Sequence, residues 1–169
     1  MTIGWRRVDL WLALAVIALD QAAKAFIRQW LPLHGSVAVI PGLLDLTYVH
    51  NTGAAFGFLN AVDFPYKSVA IVLVSTAALV AIAVYAARVS PHQWVARLGL
   101  ALILGGAGGN LIDRLAAGHV VDFVDLYWHA WHFWAFNVAD SAITVGAAAL
   151  ILDMLISRPH PSGAGGAPR

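Results

Sequence analysis

The amino-acid sequence predicts an all-α membrane protein, with four transmembrane helices, a small extracytoplasmic β-hairpin and both termini cytoplasmic. Three observations predict it. The chain is 60% hydrophobic and only 11% charged, whereas a soluble domain is about a quarter charged. Its apolar residues gather in four long runs. Its charges sort by side once those runs are threaded across a bilayer. With 169 residues there is room for one domain. We expect that domain over residues 1–157, and a disordered cytoplasmic tail over the Pro/Gly/Ala-rich residues 158–169. A net charge of +1 gives no reason to expect a nucleic-acid partner. Without Cys, disulfide and thiolate chemistry are excluded.

The first run covers roughly Val8 to Arg28. Arg6 and Arg7 before it give it the look of a secretory signal, but Asp20 and Lys24 interrupt it and no cleavage site follows. The second is the cleanest: SVAIVLVSTAALVAIAVYAA, between Lys67 and Arg88, holds twenty residues without a charge. At about 1.5 Å per residue it reaches roughly 30 Å, the thickness of the hydrocarbon core. The third covers Val95 to Arg114 and the fourth Val138 to Ser157. Four spans place Arg6, Arg7, Arg88, Arg97, Arg158 and Arg169 on one face, which the positive-inside rule makes cytoplasmic. Of the nine acids, all of them Asp, only Asp9 and Asp153 share that face. The chemistry is therefore expected on the other side. Of the two outer segments, Leu31 to Tyr66 reads as a hairpin, VAVI and LLDLTYVH around a Pro41-Gly42 turn. The other, Leu115 to Phe136, reads as a loop whose YWHAWHFW favours the membrane–water interface.

Polar side chains inside spans are costly and mark a partner or a wet cavity. Asp20 and Lys24 lie at i, i+4, in the better order for an ion pair. They either lock the first helix to its neighbours or shape a site. Asn110, Asp113 and Arg114 share one face of the third helix, after LGGAGGN. The G-x-x-x-G spacing of Gly105 and Gly109 suits close helix packing and not dinucleotide binding. In the fourth helix Asn137, Asp140, Ser141 and Thr144 form a polar stripe at the outer end. The preceding loop offers Asp122, flanked by Val121 and Phe123.

Two carboxylates at matching depth on separate elements have a chemical use. Like charges held close cannot both ionise easily, so one proton is shared. The ionised member takes a proton from water while the protonated member gives one to a carbonyl, which is peptide hydrolysis without metal or covalent intermediate. The residues alone leave another reading open, in which each Asp caps a helix or pairs with Arg114.

The motifs DQAAK (Asp20 to Lys24), NTGAAF (Asn51 to Phe56), GGAGGNLIDR (Gly105 to Arg114), GHVVDF (Gly118 to Phe123) and FNVADS (Phe136 to Ser141) resemble those of lipoprotein signal peptidase, or signal peptidase II, in that family's order. The resemblance implies an aspartic endopeptidase of the bacterial cytoplasmic (inner) membrane, multi-pass, with its site at the extracytoplasmic face. Its substrates would be prolipoproteins carrying a diacylglyceryl-modified Cys, cut just before that Cys. Asp122 and Asp140 would be the catalytic dyad. Asn51, Gly53, Asn110, Arg114 and Asn137 would bind substrate or orient the dyad, supported by Asp20 and Lys24. The hairpin would be a β-cradle. The resemblance implies no cofactor and no metal, membrane lipid as surroundings, and a monomer. Two other readings compete. A metalloenzyme could use His119, His129, His132 and Asp125, but an H-E-x-x-H site is excluded because the chain has no Glu. A small transporter or channel could use the polar stripes, but the charges gather at one face and do not cross the membrane.

Overall fold

The computed structural model describes residues 2–53 and 64–156, with side chains from residue 9 onward. The expectations for the 158–169 tail and for residues 54–56 of NTGAAF lie outside the described residues. Helix α1 covers Thr2–Trp30, α2 Lys67–Arg88, α3 Trp94–Ala117 and α4 Val138–Ile156. All four contain a stretch long and apolar enough to cross a membrane, in α1 Asp9–Trp30. The spans match the expected ones to within a few residues, because an apolar run ended by Arg or Lys is a direct signal of bilayer depth. Large apolar side chains such as Trp11, Leu73, Val74, Met154 and Leu155 are exposed. Water would penalise such surfaces, whereas lipid solvates them. α3 is the central helix, packing against α1, α2 and α4.

Its glycines allow that. A Cβ on Gly105 would meet the Ala13 carbonyl at 2.8 Å, and one on Gly109 would meet Asp20 Oδ2 at 2.7 Å, both on α1. A Cβ on Gly106 would collide with the Ala139 carbonyl of α4. The expected packing role of this stretch therefore serves two neighbours at once. At the end of the bundle opposite the sheet, Arg97 in the first turn of α3 pairs with Asp9 of α1.

The polar part of the fold is larger than a hairpin. Strands β1 (Ser36–Ile40) and β2 (Leu44–Asn51) pair antiparallel around Pro41-Gly42, where Gly42 takes φ 84°. The segment read as a loop contributes β3 (Val120–Trp128) and β4 (Trp131–His132), giving a four-stranded antiparallel sheet in the order β1-β2-β3-β4. The first half of β3 was hidden because Val120, Val121, Asp122 and Phe123 are all buried, so no apolar–polar alternation marks it. Val121 and Phe123 pack on Ile27 of α1 and on Leu31 just after it, which fastens the sheet to the bundle. Gly118 closes α3 in the left-handed conformation, φ 75°. The chain reverses there and enters β3, which pairs Val49 of β2 with Asp122. A bridge from Val124 to Phe136 leads it back into α4.

Candidate active site

Asp122 comes from β3 and Asp140 from the first turn of α4, and the side chain between them is Asn137. Asn137 stands just before α4, where the first backbone N–H groups have no helical partner. Its Oδ1 accepts from Asp140 N at 2.9 Å, while Asp140 Oδ2 accepts from Asn137 N at 3.3 Å. This is a reciprocal capping box, with Asn and Asp in the places of Ser and Glu. Asn137 Nδ2 donates to Asp122 Oδ1 at 2.6 Å and more weakly to the Val121 carbonyl and Asn110 Oδ1, both at 3.3 Å. Asn137, fully buried, thus caps the helix and bonds both carboxylates, Asp122 through Nδ2 and Asp140 through its backbone N–H. The helix-capping alternative thus holds for Asp140, whose Oδ2 accepts from Asn137 N, and not for Asp122, which sits in β3.

Each carboxylate has a second amide. Asn51, the last residue of β2, donates to Asp122 Oδ2 at 2.9 Å, and Asn110 donates to Asp140 Oδ1 at 2.8 Å. Asn51 Oδ1 accepts from Gly53 N at 3.0 Å, and Arg114 donates to the Gly53 carbonyl at 3.0 Å. Arg114 therefore braces the Asn51–Gly53 backbone. Asp20 and Lys24 form the expected ion pair, 2.7 Å, with neither side chain exposed. They reach further than an i, i+4 pair. Asp20 Oδ1 accepts from Ala139 N at 2.9 Å, so α1 helps to cap α4. Lys24 also pairs with Asp113 Oδ2 at 2.9 Å and donates to Asn110 Oδ1 at 2.9 Å.

Some expectations change. Asn110, Asp113 and Arg114 leave one helix face but part company. Asp113 turns toward α1, where Arg28 and Gln21 donate to its Oδ1 at 2.9 and 3.3 Å. Nothing in the sequence links Arg28 or Gln21 to Asp113; only their helical spacing from Lys24 hinted at a shared face. Ser141 and Thr144 leave the polar stripe, since their hydroxyls donate back to the helix carbonyls of Asn137 and Asp140 at 3.0 and 2.8 Å. His132 of β4 pairs with Asp125 of β3 at 2.9 Å. His50 and His119 stack with centroids 3.6 Å apart. Among the described residues no group of three His or Asp side chains is arranged to hold a metal.

Asp140, Asn110, Arg114 and Asn51 form the polar end of a cavity of about 350 Å³. Ala70, Ile71 and Val74 of α2 and Ile143 of α4 line its apolar part. Asp122 is the deeper carboxylate, 2% exposed. Burial first, and then the charge of Asp140, push its carboxyl up to about 7, against the opposing effect of the Asn51 and Asn137 donors. Asp122 is thus disposed to hold a proton, beside a second acid that lines an apolar-walled cavity. That arrangement suits general acid–base attack of water on an amide.

Known proteins resemble the chain as a whole. Residues 12–156 match the profile of the family described as signal peptidase (SPase) II. The chain is similar to a lipoprotein signal peptidase of Geobacter sulfurreducens, 49% identical over 84% of this chain and 88% of the relative. It is also similar to one of Pseudomonas aeruginosa, 42% identical over 93% of both chains. A solved structure described as a bacterial membrane enzyme, determined by the in meso method, superposes with TM-score 0.80 at 29% identity over 94% of both chains.

Proposed function

The chain belongs to the signal peptidase II family, and on that premise we propose that Asp122 and Asp140 are the dyad with which it works. It is a hydrolase, an aspartic-type protease that removes signal peptides from prolipoproteins, and a multi-pass bacterial membrane protein. In the proposed mechanism Asp140, on the cavity wall, is the base that takes a proton from the attacking water. Asp122 carries the shared proton and gives it to the scissile carbonyl oxygen. The gem-diol then collapses as Asp140 passes its new proton to the leaving nitrogen and Asp122 takes one back from a gem-diol hydroxyl, so protons balance and the dyad returns to its starting state. Asn110 and Asn137 hold the dyad, and Arg114 and Asn51 hold the Gly53 backbone at the rim, where the substrate chain lies. The observation that carries this reading is the single Asn137 amide, 2.6 Å from Asp122 and capping Asp140. Asn137 thus engages both carboxylates, Asp122 through its side-chain amide and Asp140 through its backbone N–H.

The finer reading concerns substrate and placement. The substrate is a prolipoprotein with a diacylglyceryl-modified Cys, cut just before that Cys in the bacterial cytoplasmic (inner) membrane. The cavity opens between α2, α3 and α4, so an apolar signal segment enters from the lipid while water reaches the carboxylates from the sheet side. Both termini lie in the cytoplasm and the site faces outward, as the placement of Arg88 and Arg97 opposite the dyad supports. The sheet and the segment after it, with exposed Trp128, Trp131 and Trp134, lie at the outer interface. A monomer suffices, because one chain supplies both carboxylates. Incubation of the purified protein with a diacylated prolipoprotein and, separately, with its unmodified precursor tests the substrate reading. Cleavage of the diacylated form alone is expected, and equal cleavage of both would refute it.

A further inference from the structure

The amides that hold Asp122 and Asp140 have a direction, and a buried charge sets it. An Asn side chain has an accepting end and a donating end, and only the hydrogen-bond network around it decides which lies where. Around Asn110 the decision rests on Lys24. Lys24 Nζ donates to Asn110 Oδ1 at 2.9 Å, and an ammonium cannot accept. Were the Asn110 amide reversed, its NH2 would face the ammonium and its oxygen would face Asp140 Oδ1, now 2.8 Å from the NH2. Both contacts would become repulsive.

The constraint propagates. With its oxygen held toward Lys24, Asn110 also accepts from Asn137 Nδ2 at 3.3 Å. That favours the Asn137 orientation in which Nδ2 reaches Asp122 at 2.6 Å and Oδ1 receives Asp140 N at 2.9 Å. The Lys24 ammonium has three protons and meets three acceptors: Asp20 at 2.7 Å, Asp113 at 2.9 Å and Asn110 at 2.9 Å. It is fully buried, so it can neither turn away to water nor touch a substrate. Arg28 completes Asp113 at 2.9 Å, and two cations then balance two carboxylates. A simple helix lock would need only Asp20, Lys24 and Asp113. The contact to Asn110 is the additional feature.

From this network we infer that Lys24 is a positioning residue for proteolysis: through Asn110 and then Asn137 it fixes the direction of the amides that present N–H groups to both dyad carboxylates. The inference rests on the dyad reading given above. It gives Lys24 a task separable from helix packing, because a packing role has no reason to pass through the Asn110 side chain.

A double-mutant cycle on turnover separates the two, with a diacylated prolipoprotein as substrate and kcat taken per folded molecule. Lys24→Met should lower kcat at least 30-fold and change KM less than threefold. In an Asn110→Ala background the same substitution should cost less than a further threefold, because its route to the dyad is already cut. Equal fold-losses in both backgrounds would overturn the inference, as would a loss confined to folded yield or thermal stability with kcat intact. If Lys24→Met does not fold, the cycle is run with Lys24→Met/Asp113→Asn, which keeps Asp20 and Arg28 as a balanced pair. Failure of that variant to fold as well assigns Lys24 to structure alone and overturns the inference. Asp122→Asn serves as the control. If it retains turnover, the dyad reading itself falls. If it is inactive and the cycle is additive, only the assignment to Lys24 falls.

Discussion

Asp122→Asn should abolish turnover and yet stabilise the folded protein at alkaline pH. The carboxyl is 2% exposed and is pushed from 3.8 up to about 7 by burial and by Asp140. A group whose folded value is raised contributes stability that is fully present below about 4 and is lost as pH rises through about 7. At 1.36 kcal/mol per pH unit, that interval sets a ceiling of about 4 kcal/mol of destabilisation carried by the ionised carboxylate at pH 8. An amide never ionises and so avoids it. Asn at 122 has one cost of its own. Its NH2 must face a donor, either Asn51 Nδ2 at 2.9 Å or Asn137 Nδ2 at 2.6 Å. Asn51 cannot reverse without dropping Gly53 N, nor Asn137 without dropping Asp140 N. The mismatch costs about 1–2 kcal/mol at every pH. The net effect is a gain of about 1–3 kcal/mol at pH 8, and a loss of about 1–2 kcal/mol near pH 4. Thermal unfolding of wild type and variant in the same detergent, from pH 4.5 to 8.5, reads it directly. At about 2–4 °C per kcal/mol for a chain of this length, the difference in midpoint should rise with pH and change sign. A difference that is flat across this range, or that becomes more unfavourable as pH rises, would refute the account of Asp122.

Asn137→Ala removes the cap of α4 and the tie between the carboxylates. It should cost about 1–3 kcal/mol of stability and lower kcat at least 100-fold, and a near-normal kcat in folded protein would separate the cap from the chemistry. Gly53→Val places a branched side chain where Gly53 N and its carbonyl bond Asn51 and Arg114. KM should rise at least fivefold, and unchanged kinetics would remove this backbone from the site. Prolonged dialysis against a strong chelator should leave activity unchanged; loss of activity restored by a divalent metal would reinstate the metalloenzyme reading of His119, His129 and His132.

The spans were legible because bilayer depth is written in uninterrupted apolar length, as between Lys67 and Arg88, and the β1–β2 hairpin because Pro41-Gly42 punctuates it. Strand β3 was not, since four consecutive buried residues beginning at Val120 carry no period and resemble a loop near an apolar surface. The carboxylates and asparagines were visible as polar residues where lipid penalises them. Their geometry was visible only in part. FNVAD contains the Asn-x-x-Asp spacing of a capping box, a local signal for the Asn137–Asp140 bonds. The contacts of Lys24 with Asn110 and Asp113 span 86 and 89 residues, and no local pattern tells which face of α3 meets which helix. The shared face of Asn110, Asp113 and Arg114 was a correct statement about helix phase. It did not reveal that Asn110 and Asp113 share Lys24, that Asn110 also reaches Asp140, and that Arg114 turns to the Gly53 carbonyl.

The central claim is that Asp122 and Asp140 act as one catalytic unit. The measurement that tests it most directly is the turnover of a diacylated prolipoprotein by purified Asp122→Asn, Asp140→Asn and the double variant, each shown to be folded and to bind substrate. The account predicts that each single amide loses nearly all turnover and that the double variant is little worse than either, because losses within one catalytic unit do not add. If either single variant keeps more than about a tenth of wild-type turnover, a loss below ~1.4 kcal/mol of transition-state stabilisation, that residue is not a member of the dyad.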